Sequence, residues 1–471
     1  MKVLLIRVPH RHMVTSGLPR SVENATGMYP PLGLLHLASA ARAWAGAEVS
    51  LLDAHALDLD QDGIAAHVAA AAPDVVGIQV LTFNLVDAVL TARTVRRVRP
   101  TAHVCVGGPH AYLYPAETLA IEGVDSLVVG EAERTFAALL NALDNGGDPA
   151  DVPGVAVRRN ADVIGVEAPP LEQDLDALPP PARDLLDTAR YWSILADRNP
   201  ASTLISTRGC PMRCIYCDRP HLGKHYRAHG AAYVADDMEA CVAGGARELF
   251  FYDDTFSLNR KRVLDICDEI IRRGIRIPWD VRTRADVIDA DMLAAMKGAG
   301  VARVQIGVES GSRRVLQAMR KGITPEQAHD ALAMCRRHRI TSLAYFMLGN
   351  PGETEADVDE TMRFIRTCAA DHAHIGITLP YPGTDLYRLG LERGLYDHDY
   401  WRAFAAEPDE HFHPPSWTET FSQEALEAMR RRAYRLFYGR PRRIVRELLA
   451  VRTFRQGWRK ATVGLGLLFS R

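Results

Sequence analysis

The sequence predicts an α/β protein with a doubly wound parallel sheet first, then a partial (β/α)6 TIM-like barrel, and a helical C-terminal cap. Three observations predict this. Short apolar runs alternate with helical stretches over the first 145 residues, a Pro-rich segment then interrupts regular structure, and the alternation resumes from Thr203 with six candidate strands. At 471 residues the chain is longer than one ordinary core supports, so two large domains are expected.

In residues 1–145 the candidate strands are Val3–Ile6, Glu48–Leu52, Asp74–Val80, Val104–Val106 and Ser126–Val129. Helical stretches lie between them, such as Leu32–Ala45, Leu85–Val98 and Glu117–Glu122. Strands with no polar alternation are buried on both faces, which is the parallel-sheet pattern. Ligands of such sheets bind beyond the carboxyl ends of the strands, here the loops Leu81-Thr82-Phe83-Asn84, Gly107-Gly108-Pro109-His110 and Gly130-Glu131-Ala132-Glu133. Residues 146–200 read as a connector, with a β-rich appendage at Asp148–Val166 and a stop at Leu178-Pro179-Pro180-Pro181. The barrel is expected over 201–395, with strands at Leu204–Thr207, Glu248–Tyr252, Pro278–Val281, Arg303–Val308, Ser342–Met347 and His374–Leu379. Its chemistry belongs at the carboxyl ends of those strands. Residues 396–471 read as a helical, basic cap. Its apolar end, Val463–Phe469, allows a second reading as a membrane-surface contact.

Basic and acidic residues nearly balance (56 against 58), which gives no general case for a nucleic-acid partner. The opening apolar run is broken by Arg7 and Pro9, and no stretch of 18 apolar residues occurs, so a cytoplasmic protein is expected. Cys105, Cys241, Cys267, Cys335 and Cys368 sit singly in apolar or helical patterns, as small buried hydrophobes do.

The remaining cysteines carry the strongest signal. Arg208-Gly209-Cys210-Pro211-Met212-Arg213-Cys214-Ile215-Tyr216-Cys217 is a C-x3-C-x2-C run directly after the first barrel strand. Three thiolates on one loop can ligate three irons of a cubane and leave the fourth iron open. A structural zinc site is the alternative, but it needs a fourth ligand, for which His221 or His225 is the candidate.

This run, with an aromatic residue before its last cysteine, resembles the signature of the radical S-adenosylmethionine (SAM) superfamily, and the resemblance covers residues 203 to about 395. It implies a [4Fe-4S] cluster on Cys210, Cys214 and Cys217 whose open iron binds SAM. Electron transfer from a donor such as flavodoxin or ferredoxin then yields a 5′-deoxyadenosyl radical. Later strand ends fit that cofactor. Asp253 and Asp254 could accept from its ammonium group, and Arg282 and Arg284 could pair with its carboxylate. Glu309 and Ser310 stand where the family places a ribose-binding polar residue, and Gly349 opens a glycine-proline turn of the family type. Tyr216 would pack beside the adenine. Each has a plainer alternative: a helix N-cap for Asp253 or Asp254, a surface ion pair for Arg282, a turn for Gly349 and core packing for Tyr216.

The N-terminal part resembles the cobalamin-binding domain that precedes the radical domain in one subfamily. The matching pieces are Tyr29-Pro30-Pro31-Leu32-Gly33-Leu34, Gly107-Gly108-Pro109-His110 and Val129-Gly130-Glu131-Ala132-Glu133. The D-x-H-x-x-G motif is absent, since Asp53-Ala54-His55 lacks its glycine. His10 and His12, after the first strand, read as solvated or hydrogen-bonded, with cobalt ligation the alternative. The resemblance implies cobalamin at Thr82, Phe83, Asn84, Gly107, Gly108, Pro109, His110, Gly130, Glu131 and Glu133. The expected activity is methylation of an unactivated carbon of a small metabolite. Radical dehydration, deoxygenation or ring formation on a scaffold that binds no cobalamin is the second reading, and a non-catalytic sensor is the third.

Overall fold

The computed structural model describes residues 1–14, 27–217 and 223–440. The expected membrane-surface segment and His221 therefore lie outside the described residues. The first sheet contains β1 (Lys2–Arg7), β2 (Glu48–Asp53), β3 (Val75–Gln79), β4 (His103–Gly107), β5 (Ser126–Val128), β6 (Val155–Arg159) and β7 (Asp162–Ile164). Its order is β2-β1-β3-β4-β5-β6-β7, with the first five strands parallel. Each strand feeds two cores because alternate side chains leave opposite faces. Val3 and Leu5 of β1 pack with Leu34, Ala38 and Phe136 on one face. Leu4 and Ile6 pack with Ile64, Val68 and Val95 on the other.

The expected connector differs in one respect. Its β-rich appendage is the hairpin β6–β7, which pairs antiparallel onto β5 and closes the sheet edge. A bare parallel edge is an aggregation template, and a short hairpin bearing Arg158, Arg159 and Asp162 blunts it.

The second sheet runs β8 (Ala201–Leu204), β11 (Glu248–Phe251), β12 (Trp279–Thr283), β13 (Val301–Glu309), β14 (Thr341–Leu348) and β15 (His372–Ile377) in chain order, all parallel. Between β8 and β11 lie β9 (Thr207–Arg208) and β10 (Arg227–Ala228), a two-residue antiparallel pair at the base of the cysteine loop. Low in the barrel, Asp280 accepts from Arg303 (3.0 Å) and Gln305 (2.6 Å). The polypeptide below closes that end, with the Asp197 amide 2.8 Å from Glu248.

The barrel stays open at β15, whose free edge is covered by the helix Gln423–Tyr438. Tyr434 accepts from the Ile375 amide (3.1 Å), and Tyr438 accepts from the Ala373 amide (3.2 Å). The cap thus supplies the ladder's missing partners. The stretch before it crosses back to the first sheet, where Tyr387, Tyr396, Trp401 and Phe404 join the core that holds Leu4 and Ile6. Among the described residues no helix is long and apolar enough to cross a membrane.

Candidate functional site

The carboxyl ends of both sheets border one cavity of about 380 Å³. Its first wall comes from Gly33, His36 and Leu37 on the helix Leu32–Ala45 and from Gln79, Gly107, Gly108, Pro109, Gly130, Glu131 and Glu133 at strand ends. The opposite wall is Thr207, Arg208, Tyr252 and Asp254, which follow β8 and β11. The inner end is apolar, between Leu34, Cys105, Val128 and Phe136. Two adjacent glycines act differently here. A Cβ at Gly107 would meet nothing nearer than the Val128 carbonyl oxygen, 3.8 Å away. Gly108 has φ 116° and ψ −178°, a region open essentially to glycine alone, and a Cβ there would lie 2.6 Å from the Val80 carbonyl oxygen.

None of the side chains of Thr82, Phe83, Asn84 and His110 lines the cavity, and three of the four support this wall from behind. Thr82 bonds His110 Nδ1 at 3.1 Å, and Asn84 Oδ1 accepts from the Leu81 amide at 2.8 Å. Phe83 turns away to meet Tyr381 and Trp401 edge-on (5.5 and 5.7 Å). Nor do His10 and His12 line it. His10 stacks on His55 at 3.9 Å, and burial, with His55 and Arg7 adding to it, lowers its pKa to about 3. His12 bonds Asp87 at 2.8 Å.

Glu131 and Glu133 line the cavity, but their charges are already matched. Glu133 takes Arg208 at 2.5 Å, and Glu131 takes both Nη atoms of Arg227 at 2.8 Å. Burial works against the Glu133 carboxylate, yet Arg208 outweighs it and holds the pKa at about 2. Burial and Arg208 lower the His36 imidazole to about 4, and its Nδ1 is buried with no hydrogen-bond partner.

The cysteine loop is pinned from several sides. Asp253, fully buried, accepts from the Ser206 amide (2.6 Å), the Ser206 hydroxyl (2.5 Å) and the Thr207 amide (3.1 Å), so it fixes the chain leading into the loop. The Ile215 amide donates to the Met319 carbonyl at 3.1 Å, and the Leu386 amide to the Ile215 carbonyl at 2.8 Å. Cys210 lies 3.7 Å from the Thr255 hydroxyl, and Cys214 lies 3.9 Å from Arg284 Nη1. Among the described residues no three His, Cys, Asp or Glu side chains converge on a single-ion site. Thiolates that each ligate a separate iron need no such convergence.

A second cavity, about 310 Å³, opens inside the barrel beside this loop, between Tyr216, Glu309, Tyr345, Met347, His374, Ile377 and Tyr381. Glu309 adopts φ 68°, where β-strand residues are rarely found, at a register shift in the β13–β14 pairing. That turn brings its carboxylate to Lys321 Nζ (2.7 Å) and the Tyr216 hydroxyl (3.1 Å). Burial and the Glu309 charge raise the Tyr216 pKa, so the phenol stays protonated and donates.

Three expected residues make contacts within the protein. Ser310 bonds Thr361 at 2.9 Å and ties its loop to the following helix. Gly349 donates to Glu353 at 2.7 Å and packs against Leu426, away from the cavity. Arg282 lies over the Tyr252 ring at 4.2 Å. Sequence reasoning gave no role to Lys321, Arg227, His36 or Tyr252, and quoted Arg208 only as part of the cysteine run.

Residues 204–365 match the radical SAM superfamily, and residues 21–140 match the B12 binding domain. The chain belongs to the radical SAM superfamily, in the branch where a B12 binding domain precedes the radical domain. It is a radical SAM enzyme whose cofactors are a [4Fe-4S] cluster, SAM and cobalamin. Within that branch it is 33% identical to the uncharacterized methyltransferase PH0819 of Pyrococcus horikoshii over 451 residues, 95% of each chain. Two solved structures share the fold. The cobalamin-dependent enzyme OxsB, with aqua-cobalamin and SAM bound, gives a TM-score of 0.76 at 17% identity over 98% of this chain and 70% of that one. The methyltransferase TsrM from Kitasatospora setae, with cobalamin and cluster bound, gives 0.72 at 18% identity over 92% and 88%.

The residues fit these groups. Gly107 leaves open the space a side chain would fill, His36 brings an orphaned nitrogen to the first cavity, and the three thiols share one anchored loop.

Proposed function

We propose that this enzyme is a cobalamin-dependent methyltransferase acting on an unactivated carbon of a small metabolite. One observation carries the reading: the cavity at the first sheet is bordered by Thr207, Arg208, Tyr252 and Asp254 of the barrel, so a corrinoid held there would lie between the two domains at the barrel's carboxyl-terminal mouth. The methyltransferase name of the Pyrococcus relative supports it. When bound, the cluster supplies the electron that cleaves SAM, and the corrinoid supplies a transferable methyl group.

The chain's own groups divide the remaining work. Cys210, Cys214 and Cys217 offer thiolates to three irons, and Arg284 sets a guanidinium against the Cys214 sulfur. Glu309, which already accepts from Lys321, would accept from a ribose hydroxyl, and Tyr216 would pack beside the adenine. Asp254 stands at the cavity wall, whereas Asp253 is committed to the backbone. Gly107 would let the corrinoid approach the backbone, and Gly108, Pro109 and Gly130 line the same wall. An external one-electron donor of flavodoxin or ferredoxin type completes the system.

The test is anaerobic turnover with SAM bearing a trideuterated methyl group. Both 5′-deoxyadenosine and S-adenosylhomocysteine should form, with the label in the product. Formation of 5′-deoxyadenosine alone, with no methyl transfer from loaded enzyme, would replace methylation by dehydration, deoxygenation or ring formation.

A further inference from the structure

The cysteine loop is closed by little of its own. β9 and β10 contribute two residues each, with Arg208 opposite Arg227, and residues 209–226 run between them with all three cysteines. Two cross-strand pairs add little to the anchors at Ser206, Thr207 and Ile215, because an isolated hairpin of any size is marginal in water. Opposed residues project from one face, so both guanidiniums reach the same side. There they meet the other unit. Glu133 accepts from Arg208 at 2.5 Å, Glu131 accepts from Arg227 at 2.8 Å, and Glu131 also lies 3.4 Å from Arg208. The four side chains are between 3% and 11% exposed, so solvent barely screens them. Glu131, Glu133 and Arg208 also form part of the wall of the first cavity, beside the orphaned His36 nitrogen.

We propose that this four-residue clamp couples the two cofactor sites, so that corrinoid in the cavity stabilises the cluster loop and an assembled cluster tightens corrinoid binding. The inference rests on the cavity being the corrinoid site. Glu131, Glu133 and Arg208 wall the cavity and, with Arg227, close the loop, so ordering one orders the other. Linkage makes the effect reciprocal, by one factor in both directions. Arg208, Arg227, Glu131 and Glu133 are then positioning residues that set the cluster's loop against the corrinoid, and their charges are spent on each other.

Hydroxocobalamin is titrated by absorbance into two proteins: wild type with a reconstituted cluster, and the Cys210→Ala/Cys214→Ala/Cys217→Ala variant, which cannot hold one. The ratio of the two dissociation constants is the coupling factor, expected to be about fivefold or more. Glu133→Gln should bring the ratio to one, but it strands Arg208 and can unfold the chain. Arg208→Met/Glu133→Met replaces the pair with apolar side chains of similar length, and is measured in both cysteine backgrounds. Loss of the ratio with retained folding supports the clamp. A clamp that only held the units together would shift both affinities alike and leave the ratio intact, so a preserved ratio overturns the proposal, as does a wild-type ratio near one. If neither protein binds hydroxocobalamin, the corrinoid reading itself falls, and the coupling with it.

Discussion

Gly107 and Gly108 allow the cavity to be tested apart from the fold. Gly107→Leu places a branched side chain where the nearest atom to its Cβ is 3.8 Å away, so the empty protein should lose little stability, within about 0.5 kcal/mol. The side chain enters a cavity of about 380 Å³ and competes with whatever binds there. Forcing extra methylenes into a filled space costs about 1–3 kcal/mol, which weakens corrinoid binding roughly five- to a hundred-fold. Gly108→Ala should do the reverse. Its Cβ would sit 2.6 Å from the Val80 carbonyl oxygen at φ 116°, so the fold loses about 1–3 kcal/mol whether or not corrinoid is present. Anaerobic absorbance titration with hydroxocobalamin gives the affinities, and urea denaturation without it gives the stabilities. Wild-type affinity in folded Gly107→Leu would refute the assignment of this cavity to the corrinoid.

Replacing Cys210, Cys214 and Cys217 together with Ala should remove bound iron, the brown absorbance and reductive SAM cleavage; iron retained after reconstitution would count against the cluster. Glu309→Gln should weaken SAM binding about ten- to a hundred-fold while iron content is unchanged, because a charge-assisted bond contributes about 1.5–3 kcal/mol. Calorimetric affinity equal to wild type would return Glu309 to a purely structural role. Tyr434→Phe removes the acceptor of the buried Ile375 amide and should cost about 1–3 kcal/mol in urea denaturation. Burial lowers the His110 pKa from 6.5 to about 3, so the folded imidazole stays neutral while the unfolded one protonates, and stability falls as pH drops through that window. His110→Asn keeps an acceptor for Thr82 and removes the titration, so its stability relative to wild type should gain about 1.4 kcal/mol per pH unit below 6.5; parallel pH curves would contradict the buried imidazole.

What could be read from the sequence was what lies close together in it. The helices Leu32–Ala45 and Leu85–Val98 match their expected spans because a periodic stripe between two apolar runs is a local pattern. The cysteine run was legible for the same reason, as its three thiols occupy eight consecutive residues. The hairpin β6–β7 was legible as strand but not as part of the first sheet, because its choice of β5 as partner is a tertiary fact. Charge pairing was the least visible. Glu133 and Arg208 are 75 residues apart and Glu131 and Arg227 are 96 apart, with no period or motif linking them.

Position at a strand end also proved too coarse a guide to contact. Asp253 and Asp254 are neighbours after β11, yet one is buried against the Ser206 and Thr207 backbone and the other borders the cavity. Glu309 and Ser310 divide likewise, one turned to Lys321 and Tyr216 and the other to Thr361. The split follows from backbone geometry: adjacent residues leaving a strand point to opposite sides, so only one of each pair can face a ligand. Which one does depends on register, and at Glu309 the register shifts and φ turns positive. Such strain persists only where its surroundings hold it, here the buried Lys321 ammonium. Lys321→Met should therefore release Glu309 from that conformation as well as strand its charge, at a cost of about 3–5 kcal/mol. A double variant with Glu309→Gln should recover most of that loss, since the stranded charge is then gone. Failure to recover would mean that Lys321 stabilises the barrel by packing and not by holding the carboxylate.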